Sequence, residues 1–154
     1  MLAALSTADI RFIIVGGLAV GAHGHPRATK HIDLVPDPSP DNLRRLAELL
    51  AELDYVIAGA DEFEPDELVL PNFEGLAAGG RWVLQTKLGR LDVLQRLEPV
   101  ITYDALDAEA IEDEVFGVRV RFCGYHHLVE MKRAAGRDQD RLDLAKLEAI
   151  RDET

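Results

Sequence analysis

Apolar and polar positions divide the chain into segments of two periods. Phe12-Ile13-Ile14-Val15 is an unbroken apolar run ended by Gly16-Gly17, which predicts a short buried strand. His31 to Val35 predicts a second, stopped by Pro36, Pro38 and Pro40. Leu43, Leu46, Ala47, Leu49, Leu50 and Leu53 then recur at helical spacing behind Ser39, a cap residue, and Pro40, a first-turn proline. They predict an amphipathic helix over residues 40–53. Trp82-Val83-Leu84-Gln85-Thr86 and Leu91-Asp92-Val93-Leu94, joined by a turn at Leu88-Gly89, predict a hairpin. Glu114-Val115-Phe116, a Gly117 turn and Val118-Arg119-Val120-Arg121-Phe122 predict another, whose second strand alternates between a buried and a wet face.

Leu2 to Ala8 and Gly17 to Ala22 read as short helices. His126 to Ala135 reads as a longer one closed by Gly136, and Asp138 caps a last helix through Ile150. The acidic stretch Asp61 to Gly80 reads as a loop with one short helix near residues 65–70. The expectation is an α+β fold, a mixed β-sheet flanked by helices, in a single domain over residues 1–154 that includes C-terminal helices at about 126–152.

Composition narrows the function classes. A chain of 154 residues with 47% hydrophobic and 29% charged side chains can bury a core and is not disordered. No run reaches the ~18 apolar residues of a membrane span, so no membrane partner is expected. The start lacks the basic and small-residue pattern of a secretory signal, and the single Cys123 excludes an internal disulfide and a cysteine zinc cluster, so a cytoplasmic location is expected. A net charge of −11 argues against broad adhesion to nucleic acid. Arg119, Arg121, Lys132, Arg133, Arg137 and Arg141 still offer two readings: a local basic groove for an RNA end, or solvated residues balancing nearby acids.

The chemistry-bearing residues are few. His31 and Asp33 alternate along one strand and so share a face. Asp92 sits in an apolar strand, where a carboxylate is costly unless it binds a metal, pairs with a cation such as Arg90, or caps a turn. His31, Asp33 and Asp92 together would give a divalent-cation site three ligands, suited to the metal-assisted handling of phosphates. Gly16-Gly17, between strand and helix, lets backbone N–H groups approach a phosphate, though close strand–helix packing needs the same residues. Arg27 and Thr29 serve equally as phosphate contacts or as loop braces. His23, His25, His126 and His127 lack ligand spacing and read as structural or solvated.

Gly16-Gly17-Leu18-Ala19-Val20, Arg27-Ala28-Thr29-Lys30-His31-Ile32-Asp33-Leu34 and Gly89-Arg90-Leu91-Asp92-Val93-Leu94 resemble the small nucleotidyltransferases of the polymerase-beta-type superfamily, in particular the AbiEii-like branch associated with toxin–antitoxin pairs. The tail Leu128 to Asp140 is similar to that family's closing helices. The resemblance implies transfer of a nucleoside monophosphate from an NTP to a hydroxyl of RNA (a tRNA end) or of a partner protein, with a cognate toxin or antitoxin as further partner. It implies that Asp33, Asp92 and residue 31 hold Mg2+ (or Mn2+), and that Asp92 helps deprotonate the acceptor. Gly16, Gly17, Arg27, Thr29 and Lys132 would hold the triphosphate.

The departure is His31, which stands where the family carries its first metal-binding Asp. Imidazole is neutral and softer than carboxylate, whereas Mg2+ prefers hard anionic oxygens. Three readings follow: a catalytically degenerate binding protein that keeps the fold, an enzyme working with a rearranged site or a softer ion, or an introduced replacement of Asp.

Overall fold

A computed structural model describes residues 1–154. In chain order the elements are α1 (Leu2–Thr7), β1 (Phe12–Val15), α2 (Gly16–Ala22), β2 (His31–Pro36), α3 (Pro40–Glu52), β3 (Val56–Ile57), α4 (Phe73–Ala78), β4 (Arg81–Thr86), β5 (Gly89–Leu94), α5 (Tyr103–Ala108), β6 (Ile111–Val115), β7 (Val118–Phe122), α6 (Tyr125–Ala135) and α7 (Asp138–Asp152).

All seven strands join one mixed sheet in the order β3-β4-β5-β2-β1-β7-β6. The β4–β5 and β6–β7 hairpins are antiparallel, as their turns require, and β1 and β2 are also antiparallel. Two parallel pairings, β2 with β5 and β1 with β7, attach the hairpins to the centre. Side chains opposite one another in a ladder share a face. One face therefore carries Val15, His31, Asp33, Arg90, Asp92, Leu94 and Arg81. The other carries the fully buried Ile14, Leu34, Leu91, Val93 and Leu84, part of a 27-residue core with Leu43, Leu46 and Leu50 of α3.

Local chemistry anchors α3 to the sheet. Asn42 is fully buried, accepts from Arg11 N–H, and donates to the Arg11 and Asp37 carbonyls. A buried amide is tolerated because its polar atoms are matched.

The predicted hairpins and longer helices form close to their expected bounds. The helix expected near residues 65–70 does not form. Pro65 and Pro71 break that acidic stretch, and a 3-10 turn at Ala60–Glu62 precedes it instead. The helix falls later, at α4, where the Asn72 side chain accepts from Gly75 N–H. The last helix is capped by Arg137 rather than Asp138, because Asp140 reaches back to the Arg137 N–H.

Candidate active site

Parallel pairing of β2 with β5 sets Asp33 opposite Asp92 and His31 opposite Arg90. The backbone ladder thus brings two carboxylates together that lie far apart in the sequence. His31 Nε2 lies 3.3 Å from Asp33 Oδ2 and 3.8 Å from Asp92 Oδ2. One donor atom from each of His31, Asp33 and Asp92 fits within 4.8 Å of the other two. Arg90 grips Asp92 from the side, with Nε and one terminal nitrogen each 2.9 Å from a carboxylate oxygen. Asp92 therefore has the cation partner read from the sequence, and it stands with His31 and Asp33 where the three could hold a metal ion.

The glycine turn closes on the same point. Gly16 takes φ +69, a left-handed conformation, and a Cβ there would collide with Asp33 Oδ2. No other residue type fits without displacing the carboxylate. Gly17 faces the other way: its Cβ would lie 3.1 Å from the Arg27 guanidinium and 3.2 Å from Thr29 Oγ1. The loop carrying Arg27 and Thr29 is thus packed onto the first turn of α2.

Burial pushes the Asp33 carboxyl up to about 6; the neighbouring Asp92 adds to the rise, while His31 and Arg90 oppose it. A buried carboxyl short of counter-charge, beside an imidazole and a second carboxylate, suits a divalent cation, and the donor set fits one. One of the three donors is a nitrogen, which shifts the set toward softer ions than Mg2+.

The cluster forms part of the lining of a cleft of about 520 Å3 between the sheet face and α6–α7. Gly16, His31, Asp33, Asp92 and Lys132 all line it, whereas Arg27 and Thr29 do not. Arg27 donates from Nε and a terminal nitrogen to Asp143, each at 2.9 Å, and Thr29 Oγ1 donates to the His31 carbonyl at 3.1 Å. In this structure both residues brace the loop. Lys132 is buried, with Nζ 3.0 Å from Asp140 Oδ1 and 2.8 Å from Asp143 Oδ2. Burial alone would raise the Asp143 carboxyl, but hydrogen bonds from Arg27, Lys132 and Gln139 overcome it and hold it at about 2.

The basic residues of the C-terminal half do not form one groove. Arg119, Arg121, Arg133 and Arg141 pair with Glu112, Asp107, Glu148 and Asp138, so only Lys132 and Arg137 of that set face the cleft. The cleft's free cations are instead Arg81 and Arg96, which line it and form no ion pair. Sequence reasoning passed over both. The β4–β5 turn held the signal, since its register pairs Arg81 with Leu94, on the face of Asp92. His23 Nε2 meets the Cys123 carbonyl at 2.8 Å, and burial pushes the Cys123 thiol up to about 12, so neither points to chemistry.

A mixed sheet with its glycine turn against two paired carboxylates, closed by two C-terminal helices, is the nucleotidyltransferase fold. The chain is similar to the crystal structure of lincosamide antibiotic adenylyltransferase LnuA with lincomycin bound: the TM-score is 0.63 at 14% identity, over 97% of this chain and 92% of that one. It is also similar to a candidate nucleotidyltransferase from Thermotoga maritima, with a TM-score of 0.57 at 14% identity, over 94% of this chain and 86% of that one. No protein-family model and no curated protein matches the chain.

Proposed function

We propose that this protein transfers a nucleoside monophosphate from an NTP to an acceptor hydroxyl. The observation that carries the reading is the in-register pair Asp33–Asp92, joined by His31 and facing Gly16. The triphosphate lies along Gly16 and Gly17 toward Arg81 and Arg96, the unpaired cations of the cleft. Lys132 approaches it from the α6 wall with its charge shared between two aspartates. A divalent cation, Mg2+ or Mn2+, would be held by His31, Asp33 and Asp92 and would supply neutralisation of the phosphate oxygens.

The proton-acceptor role expected of Asp92 sits better on Asp33. Both Asp92 oxygens already accept from Arg90, whereas Asp33 makes no such bond and burial raises its carboxyl to about 6. The resemblance to the AbiEii-like branch supports an acceptor on RNA (a tRNA end) or on a partner protein, and a toxin–antitoxin pairing. The acid-paired arginines of the C-terminal half weaken the RNA arm of that reading.

A second reading rests on His31 alone: a fold retained for binding, with catalysis lost. Calorimetry of ATP, GTP, CTP and UTP with Mg2+ or Mn2+, on this protein and on His31→Asp, separates the two. The transfer reading expects binding by the unaltered protein, tighter with Mn2+, and Mg2+ preference after His31→Asp. Binding or transfer only by His31→Asp selects the degenerate reading, and no nucleotide binding by either form ends the transfer reading.

A further inference from the structure

The cleft is not the only hollow that reaches the metal-ligand group. A second cavity, of about 350 Å3, shares His31 and Arg90 with it. Leu18, Ile32, Val115 and Val118 contribute apolar walls, and Lys30 stands at its edge. Two hairpin turns bracket it. Leu88 at the β4–β5 turn is 47% exposed, and Phe116 at the β6–β7 turn is 95% exposed. Phe116 is held in a left-handed conformation, φ 48, which is unfavourable for an aromatic residue. Exposed large apolar side chains beside a cavity mark a binding surface more often than scattered ones do.

The charge of this hollow narrows its occupant. On a chain of net charge −11, none of the residues lining it is acidic. Its Lys and Arg side chains are Lys30, which forms no ion pair, and Arg90, which is committed to Asp92. That disfavours a cationic ligand. It also disfavours an RNA strand, which needs a row of free cations along its phosphates. A mostly apolar cavity of this size, with few polar groups at one end, suits a small organic molecule.

We infer that the second cavity is the acceptor site, and that the acceptor is a small, largely apolar, neutral or anionic molecule carrying a hydroxyl. The inference rests on the transfer reading above and sets a small molecule in place of the RNA or protein acceptor that the resemblance supports. The nucleotide occupies the larger cleft, the acceptor the smaller, and their reacting ends meet at His31 and Arg90, which line both, with Asp33 Oδ2 3.3 Å from His31 Nε2 on the cleft side. The acceptor oxygen forms a bond to the α-phosphorus of the NTP. The bond from that phosphorus to the oxygen bridging the β-phosphate breaks, and pyrophosphate leaves with the electron pair. The hydroxyl proton passes to the Asp33 carboxylate and then to water.

Nitrogen–proton NMR shift mapping on the whole protein tests this, with three probes: ATP with Mn2+-free Mg2+, naphthylmethanol as a neutral aromatic alcohol, and a short single-stranded RNA. Naphthylmethanol is expected to shift the amides of residues 29–32, 88–90 and 115–118, and ATP those of 94–97 and 131–137. Phe116→Ser is expected to weaken naphthylmethanol binding about fivefold and leave ATP binding unchanged. Alcohol shifts confined to the ATP set, RNA shifts dominating at 115–118, or an unchanged Phe116→Ser affinity each overturn the inference. Failure of ATP to bind, with the alcohol still mapping to the second cavity, removes the transfer reading and leaves the cavity as a binding site of another purpose.

Discussion

Asp33 and Asp92 in the cleft share a single permanent cation, Arg90, together with the imidazole of His31. Asp140 and Asp143 on α7 are also buried, but Lys132, Arg27 and Arg137 all converge on them. The first pair is left short of positive charge, and burial drives Asp33 upward to about 6. The second pair is saturated: burial works in the same direction there, and the surrounding hydrogen bonds reverse it, holding Asp143 at about 2. Two acidic clusters in one fold thus have opposite electrostatic signs of design. A saturated cluster braces helices and needs nothing further. An unsaturated one is a place where a cation lowers the energy of the folded protein, as a metal site requires.

The largest test of this contrast removes the centre of the saturated cluster. Lys132→Met leaves Asp140 and Asp143 with a lost partner in the interior and is expected to cost ~3–5 kcal/mol in urea unfolding at neutral pH. A loss below about 1 kcal/mol would mean that the cluster is not a brace.

Next in size is the opposite change in the unsaturated cluster. Asp33→Asn removes an under-neutralised carboxylate, so the metal-free protein is expected to gain on the order of 2 kcal/mol at pH 7 while losing divalent-cation binding. The pH dependence follows. Asp33 binds its proton more tightly when folded, so its ionisation destabilises the metal-free fold as pH rises from about 4 to about 6. Asp143 binds its proton less tightly when folded, so its contribution is complete above about 4 and is lost as pH falls toward about 2. Asp33→Asn should erase the first limb of the stability curve and keep the second. A curve that keeps both limbs contradicts the assignment.

The smallest expected effect concerns the free cations. Arg81→Ala and Arg96→Ala are each expected to leave unfolding within about 0.5 kcal/mol of the parent. Each should also weaken ATP binding about tenfold, the worth of one charge-assisted phosphate contact. Unchanged affinity in both would move the triphosphate elsewhere in the cleft.

The central strands and the long helices were legible because their apolar periods are unambiguous. So was the clustering of His31, Asp33 and Asp92, since strand alternation pairs His31 with Asp33 and a carboxylate in an apolar strand draws notice. The short elements were not. Two-residue β3 carries no period at all, and the caps Asn72 and Thr102 that start α4 and α5 precede runs only six residues long. The partners of the arginines were hidden for a different reason. Arg27 meets Asp143 across 116 positions of sequence, a pairing set by tertiary packing rather than by any local spacing.

That same contact bears on how the molecule can be divided. The glycine turn and the His31–Asp33 strand form a contiguous stretch that looks portable, a cassette to graft onto another sheet. Yet the loop between them is pinned by Asp143, which simultaneously holds Lys132 of α6. A fragment cut before α7 would carry every donor atom of the cluster and lack the clasp that holds Arg27 in place. The motif is local in sequence, but its shape is lent to it by the far end of the chain.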